Sequence, residues 1–193
     1  MEHADFVDSN QAELISIASA MLSGEVNLIA GVRRILSLSA AIGDIGNEVF
    51  IPIRAIDSET DHFPLGDVRL NWEPSALSRV DVEMKDYLAD AKEDILRSCQ
   101  EIVQLYSVKR DLSMHEKIKN VLMQDWDPIG VQEIPEAQDE YDNYVPMIYS
   151  MLISRKPVNE VLEYLLWLEG EHMGLTVDHQ RTQLIAEKLV SLE

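Results

Sequence analysis

Apolar residues recur every three or four positions along most of this chain, the spacing that places them on one face of an α-helix. Two such amphipathic segments lie between Ser9 and about Ala41, separated by Gly24. A third and longer segment runs from Asp81 to about Tyr106. Alternating runs of β-branched residues, which would predict strands, are missing from the sequence. The pattern therefore predicts an all-α protein.

Cys99 lies on the apolar face of the third segment. That face comprises Met84, Leu88, Ala91, Ile95, Cys99, Ile102 and Tyr106. A lone thiol within a row of core-facing residues is typical of a packing residue rather than of a nucleophile. We therefore expect Cys99 to be buried and unreactive.

The residues between the second and third segments do not follow the helical period. Val49–Ile53 is apolar but contains Pro52. Because proline cannot donate to the hydrogen-bond ladder of a sheet, this stretch predicts a buried extended strip or edge segment rather than a central strand. Pro74–Leu77 predicts a single turn of helix, and Asp81 predicts the N-cap of the long helix that follows.

A second helical unit is predicted to begin near Ser113. Ser113 and Glu116 have the spacing of a capping box, in which the two side chains bond backbone N–H groups of the first helical turn. The helix that begins here is expected to end near Asp127, because the residue before a proline is disfavoured in the helical region. Further helices are predicted at about 135–154, 157–169 and 178–192, with Pro146 kinking or splitting the first of them.

Together these elements predict two domains. Residues 1–107 are expected to form a helical bundle with a long third helix and an irregular loop. Residues 113–193 are expected to form a four-helix unit. At 193 residues the chain is long enough for one large domain or two small ones, so the length agrees with this division.

The charge of the chain restricts its partners. Sixteen Lys and Arg residues against 35 Asp and Glu residues give a formal net charge of −19. This charge repels nucleic-acid backbones and anionic membranes and attracts basic partners, so we expect no direct nucleic-acid or membrane binding. The sequence lacks a signal peptide and an apolar run of bilayer length, and it has one cysteine. The expected location is the cytoplasm, with no cofactor.

The most chemically dense segment is Ile56–Gly66, which reads IDSETDHFPLG. Its acids are spaced like the opening of an EF-hand calcium loop, but His62 replaces the required glycine and Val68 replaces the bidentate acid. No second cluster completes a metal or hydrolytic site. We therefore predict a structural loop, in which Ser58, Thr60 and Asp61 bond free backbone groups of a tight turn. Phe63 and Leu65 are expected to anchor the loop, and Arg69 to pair with one of its acids. The structural residues are Asp57, Ser58, Glu59, Thr60, Asp61, His62, Arg69 and Trp72.

The second candidate surface is an acidic window between Asn120 and Ser154, which contains no Lys or Arg. Acids alternate there with large aromatics, a composition that suits a basic binding cleft, since aromatics supply hot spots and carboxylates supply steering. The other interpretation is that the aromatics belong to the core and the acids to a solvated face. The predicted partner-binding residues are Asp125, Asp127, Glu133, Glu136, Asp139, Glu140, Tyr141 and Asp142.

Each half of the chain also resembles a bacterial helical family of unknown activity. In the first half the resemblance rests on Ser58–His62, followed by a Pro-x-Gly motif, Arg69 and Trp72. In the second half it rests on WDPIG, DEYDxY and EHMGL, across about Met114–Leu192. The second family is similar to cytoplasmic immunity proteins found beside polymorphic or contact-dependent toxins. The resemblance implies a non-enzymatic immunity protein that neutralises a cognate toxin, and the acidic window suits a nuclease-type toxin with a basic substrate-binding cleft.

Two other interpretations remain open from the sequence. One is a helical scaffold or regulatory module whose long helix self-associates. The other is a hydrolase that uses the Ser58–His62 segment, which would require convergent groups in a cleft. The sequence does not determine the oligomeric state.

Overall fold

The computed structural model describes residues 3–192, with the side chains of residues 6–192. Met1, Glu2 and Glu193, which the predicted domains include, lie outside the described residues. The described part of the chain is helical and contains no strand. The all-α prediction is confirmed.

The α-helices of residues 3–192 are α1 (His3–Ser23), α2 (Leu28–Ala41), α3 (Ile51–Thr60), α4 (Pro74–Asn120), α5 (Val145–Ile153), α6 (Val158–Trp167) and α7 (His179–Val190). Short 3₁₀ turns lie at Glu48–Phe50, Gly66–Asn71, Pro135–Ala137 and Asp142–Tyr144, and π-helical segments at Val121–Trp126 and Leu168–His172. The chain divides into two compact units, the first ending at Arg110 and the second beginning at Asp111. This boundary falls within α4.

The first unit packs α1, α2 and α3 with the first part of α4. Its core comprises Leu14, Ala18, Met21, Val32, Ile35, Leu38, Phe50, Ile53, Ile56, Ile95, Cys99, Ile102 and Tyr106. Asn27 caps α2, because its side-chain oxygen accepts from the N–H groups of Ile29 and Ala30, both at 3.1 Å. Gly31 lets α1 approach α2 closely, since a Cβ at that position would lie 2.2 Å from Met21 Sδ.

Cys99 is fully buried in this core, as predicted, with its Sγ 3.8 Å from Met21 Sδ. Burial raises the pKa of the thiol to about 11, because the thiolate would lose its hydration there. The thiol is therefore protonated and shielded at neutral pH, which is the state of an inert packing residue.

The second unit packs the end of α4 with α5, α6, α7 and the two π-helical segments. Its core comprises Ile118, Val121, Leu122, Met123, Trp126, Tyr141, Val145, Ile148, Leu152, Val161, Leu162, Leu165, Leu168, Ile185, Ala186 and Leu189. Asp178 caps α7 by accepting from the N–H of Arg181 at 3.1 Å. The helices of this unit therefore surround an apolar interior in which Trp126 is the largest side chain.

Two stretches form helix where the sequence predicted other structure. Val49–Ile53, predicted to be extended, spans a 3₁₀ turn and the start of α3. Pro52 is accommodated because first-turn N–H groups have no intrahelical acceptor, and the fixed φ of proline suits a helix. α4 begins at Pro74 and continues through Asp81, so the single turn predicted at Pro74–Leu77 is the first turn of the long helix.

The capping box at Ser113 does not begin a helix, so that prediction is wrong. α4 continues through Ser113 and Glu116 to Asn120. Inside a continuous helix the backbone N–H groups are already bonded four residues back, which leaves the box no free donors. The predicted end near Asp127 is confirmed, because Asp127 leaves the helical region with a φ of 28°.

The helix predicted at 135–154 is shorter than expected. Two 3₁₀ turns, Pro135–Ala137 and Asp142–Tyr144, precede α5, which begins at Val145 with Pro146 in its first turn. Proline at this position removes no intrahelical bond. The residues before α5 are therefore available to form the loop described below.

Candidate functional site

The Ile56–Gly66 segment is the C-terminal end of a helix rather than a free loop. Asp57, Ser58, Glu59 and Thr60 belong to α3, and Asp61 is its C-cap residue. Thr60 is fully buried, and its hydroxyl donates to the carbonyl of Ile56 at 2.7 Å. The prediction of an irregular loop is therefore wrong for residues 57–60, which follow the helical hydrogen-bond pattern.

Arg33 of α2 holds this helix end in place. Its Nη2 donates to the backbone carbonyl oxygens of Thr60 at 2.9 Å, Asp61 at 3.2 Å and Phe63 at 3.0 Å. The last carbonyls of a helix lack intrahelical donors and carry partial negative charge, so a guanidinium stabilises them in both respects. Arg33 was not identified from the sequence, because it precedes its acceptors by 27 to 30 residues.

The acids of the segment make contacts that differ from those predicted. Glu59 accepts from the hydroxyl of Tyr87 at 2.7 Å, and His62 Nε2 lies 3.1 Å from Glu83 Oε1. Asp61 Oδ1 lies 3.8 Å from His62 Nδ1, with the Asp61 side chain 78% exposed. Asp61 therefore forms a surface pair rather than the turn-closing backbone bond that the sequence suggested.

The predicted partner of Arg69 is also wrong. Arg69 Nη2 donates to Asp81 Oδ2 at 2.8 Å, so the arginine pairs with α4 rather than with an acid of the segment. This hydrogen bond raises the pKa of Arg69 and lowers the pKa of Asp81. Trp72 is half-buried and directly follows the 3₁₀ turn Gly66–Asn71, to which Arg69 belongs. The backbone N–H of Trp72 donates to the carbonyl of Arg69 at 3.2 Å.

These groups do not converge on an enclosed site. Among the side chains of residues 6–192, no three His, Cys, Asp or Glu residues are placed to hold a metal ion. A cavity of about 420 Å³ lies beside Glu59 and Tyr87. Burial and the Glu59 carboxylate raise the pKa of Tyr87 to about 12, so the phenol stays protonated at neutral pH. The arrangement is that of a helix end tied to its neighbours.

We expect Arg33→Met to lower the free energy of unfolding by about 2–3 kcal/mol, because three carbonyl oxygens lose a charged donor. The matched control is Arg34→Met, which removes a surface pair with Glu13 and should cost less than about 1 kcal/mol. Urea unfolding followed by circular dichroism measures both. Equal losses in the two variants would show that Arg33 is only a surface residue.

The second candidate site is a closed loop from Asp127 to Tyr141, here called the acidic loop. The Tyr141 hydroxyl donates to Asp127 Oδ1 at 2.7 Å and joins the two ends. Asp127 also accepts from the N–H groups of Val131 at 2.8 Å and Gln132 at 3.1 Å. Gln138 Nε2 donates to the carbonyl of Gln132 at 2.9 Å. A loop with joined ends and internal bonds is an Ω-loop, a class that is frequently functional.

Asp127 organises the acidic loop electrostatically. Burial alone raises the pKa of Asp127, but hydrogen bonds from Tyr141 and from backbone N–H groups outweigh it and hold the pKa below its ordinary value. Burial and the same carboxylate raise the pKa of Tyr141. Both partners therefore keep, at neutral pH, the protonation states that the bond between them requires.

Tyr141 was predicted as a partner-binding residue, and its position rules out direct contact. The side chain is fully buried, with its ring 5.5 Å from that of Trp126 and 6.5 Å from that of Tyr144. Asp127 likewise points its carboxylate into the base of the loop. Both residues support the loop from inside rather than present a surface.

Two further predicted acids are engaged with lysines. Lys188 Nζ lies 2.7 Å from Asp125 Oδ2, and Lys119 Nζ lies 2.7 Å from Asp142 Oδ1. Exposed pairs of this kind contribute little stability, but they reduce the charge that each acid presents to a partner. Asp125 and Asp142 therefore lie at the margins of the acidic surface.

The remaining predicted acids are exposed on the acidic loop, together with two isoleucines. The set is Glu133, Glu136, Asp139 and Glu140, with Ile129 and Ile134 about 40% exposed or more. Carboxylates around exposed apolar side chains resemble the composition of a small binding patch, with apolar contacts inside and charge at the rim. The loop thus presents four of the eight predicted residues on a surface that its own hydrogen bonds hold in shape.

Glu169, in the π-helical segment after α6, was missed by the sequence analysis. Its carboxylate is buried and accepts from Trp126 Nε1 at 2.5 Å and from the Thr182 hydroxyl at 2.9 Å. Its burial could have been predicted from helical spacing. Val161 and Leu165 are buried residues of α6, and Glu169 continues their spacing of four residues. This network fixes Trp126, the residue that precedes the acidic loop.

Comparisons of this chain with protein-family models, with curated proteins and with solved structures found no match. Among the described helices, none combines the length and apolarity needed to cross a membrane. The site itself therefore carries the functional argument.

Proposed function

We propose that this chain is an immunity-type protein of the cytoplasm, which binds a cognate protein toxin with a basic surface and neutralises it. The contact surface is the acidic loop. The observation that supports this most strongly is that four carboxylates are exposed on a loop whose shape is set by the Asp127–Tyr141 bond. A pre-shaped charged surface suits fast recognition of an oppositely charged protein.

The charge of the second unit supports the same proposal. No Lys or Arg lies between Asn120 and Ser154. The lysines that approach this region, Lys119 and Lys188, contact Asp142 and Asp125 at its ends rather than the loop acids. Arg181 also reaches the edge of this region, where its Nη2 donates to the carbonyl oxygens of Asp125 and Trp126. A basic toxin surface would therefore meet a predominantly negative field, which raises the association rate and disfavours acidic competitors.

The test is association kinetics with the product of the neighbouring reading frame. The variant carries Glu133→Gln, Glu136→Gln, Asp139→Asn and Glu140→Gln. We expect its association to be about tenfold slower at low salt, with a smaller difference at 0.5 M salt, because exposed carboxylates act by screened steering.

The matched control removes four exposed acids outside the acidic loop, with Glu48→Gln, Asp86→Asn, Asp90→Asn and Glu93→Gln, and so changes the net charge equally. A specific acidic-loop surface requires the loop variant to be slower than this control. Equal association rates for the two variants would assign the effect to net charge alone. If the neighbouring product did not bind the original protein, the proposal would be refuted. Sedimentation of the free chain separately tests the alternative of self-association through α4.

A further inference from the structure

Three rings form a row on the surface of the second unit, here called the aromatic row: Tyr164, Trp167 and His172. Trp167 stacks against both of the others, with its ring centroid 6.1 Å from that of Tyr164 and 5.7 Å from that of His172, at interplanar angles of 20° and 24°. Half of the Trp167 surface is exposed. A large aromatic side chain left this open to solvent is uncommon and is typical of interaction sites.

The backbone explains why Trp167 points outward. Trp167 is the last residue of α6, and the chain continues as the π-helical segment Leu168–His172. The wider turn of the π-helix brings His172, five residues on, beside Trp167 while Leu168 and Glu169 are buried. The same local irregularity therefore buries the Glu169 carboxylate and exposes the indole.

The surroundings of Trp167 are acidic. Glu163 and Glu171 are exposed and lie four residues before and four residues after it, about one turn away on either side. No Lys or Arg occurs between Lys156 and Arg181. An exposed indole between carboxylates is the arrangement that attracts a cation, because the face of the ring and the carboxylates are both electron-rich.

The aromatic row is connected to the acidic loop by ring contacts. Tyr144 meets His172 edge to face with centroids 5.9 Å apart, and its ring lies 6.5 Å from that of Tyr141, the last residue of the loop. The aromatic row therefore belongs to the same packed group of rings that supports the acidic loop from inside the second unit.

We infer that the aromatic row receives an arginine side chain of the basic protein partner, with the exposed half of Trp167 as the stacking surface and Glu163 and Glu171 as its charge partners. Arginine fits better than lysine, because the planar guanidinium stacks on an indole and can also pair with a carboxylate. The inference rests on the proposed function in that it takes the partner to be a basic protein, and it adds the side chain that would be recognised.

The experiment titrates the intact protein with octa-arginine and, in parallel, octa-lysine at low salt and pH 8, by calorimetry. We expect octa-arginine to bind more tightly than octa-lysine. Trp167→Ala should raise the Kd for octa-arginine at least about fivefold and the Kd for octa-lysine less than twofold, which removes most of the preference. Trp167→Phe, which keeps a ring, should stay within about twofold of the original protein.

The matched control is Leu184→Ala, since Leu184 is an exposed apolar residue of α7 in the same unit. The Kd values of Leu184→Ala for octa-arginine and octa-lysine should equal those of the original protein. Circular dichroism verifies folding, and Trp167→Leu, which keeps an apolar side chain without a ring, gives the same measurement if the alanine variant does not fold. An unchanged Kd for octa-arginine, equal losses for both peptides, or no arginine preference in the original protein would each overturn the inference.

Failure here can be told from failure of the proposed function. If octa-arginine binding depends on Trp167 but the neighbouring reading-frame product does not bind, the aromatic row stands and the immunity proposal falls. If that product binds through the acidic loop while Trp167→Ala has no effect on either ligand, only the aromatic row is refuted.

Discussion

Replacing Trp126 by alanine should lower the free energy of unfolding by about 3–5 kcal/mol, the range for removing a buried tryptophan. The side chain is fully buried, its ring contacts those of Tyr141 and Tyr144, and its Nε1 donates to the buried Glu169. The loss therefore combines a cavity with a buried carboxylate deprived of a donor. Urea unfolding followed by circular dichroism measures it.

Two variants separate these contributions. Trp126→Phe keeps a six-membered aromatic ring but removes the pyrrole ring and its N–H donor, so we expect a loss of about 1–3 kcal/mol. Trp167→Ala deletes the same side chain at an exposed site and should change the free energy of unfolding by less than about 1 kcal/mol. If Trp126→Ala cost no more than Trp167→Ala, Trp126 would not anchor the core of the second unit.

Asp127→Asn should lower the free energy of unfolding by about 1–3 kcal/mol at pH 7, because the amide cannot accept from Tyr141 and two backbone N–H groups at once. Asparagine is the informative substitution, since it tolerates the positive φ of this position as well as aspartate does. Hydrogen exchange should also show faster opening of the N–H groups of Val131 and Gln132.

The pH dependence of this difference has a definite sign. The folded-state pKa of Asp127 is depressed, so the contribution of its carboxylate to the free energy of unfolding is fully present above the ordinary carboxyl pKa of about 4. It is lost as the pH falls through the lower folded pKa. The gap between the original protein and Asp127→Asn should therefore stay constant from pH 7 to pH 5 and shrink below about pH 4. A gap that widened on acidification would contradict the assigned hydrogen bonds.

The periodic parts of the sequence were sufficient to predict the helical class and the burial of Cys99, and Pro128 was sufficient to predict the helix end before it. Errors arose where a local signal was compatible with two structures. Pro52 is unfavourable in a strand but acceptable in a first helical turn. Ser113 can cap a helix only where the preceding backbone is not helical, and here α4 continues through it. Tertiary packing decided both cases.

The candidate site was harder to predict because loops have no period. The window Asn120–Ser154 was identified by composition, which does not distinguish inward from outward side chains outside regular helices. Tyr141 was therefore assigned to the surface, although it is buried, while the acids that are exposed were selected only as members of the same run. Arg33 had no local signal, because its acceptors lie on a different helix.

The bond between Asp127 and Tyr141 also affects the thermodynamics of any encounter at the acidic loop. Fixing the backbone of one residue costs about 1–2 kcal/mol in conformational entropy. A disordered loop of this length would therefore lose much conformational entropy on association, which would weaken binding. Here that entropy has already been lost during folding, through partly buried hydrogen bonds at the base of the loop. An incoming partner would therefore meet a rigid surface, and the complex would form with little change in loop order.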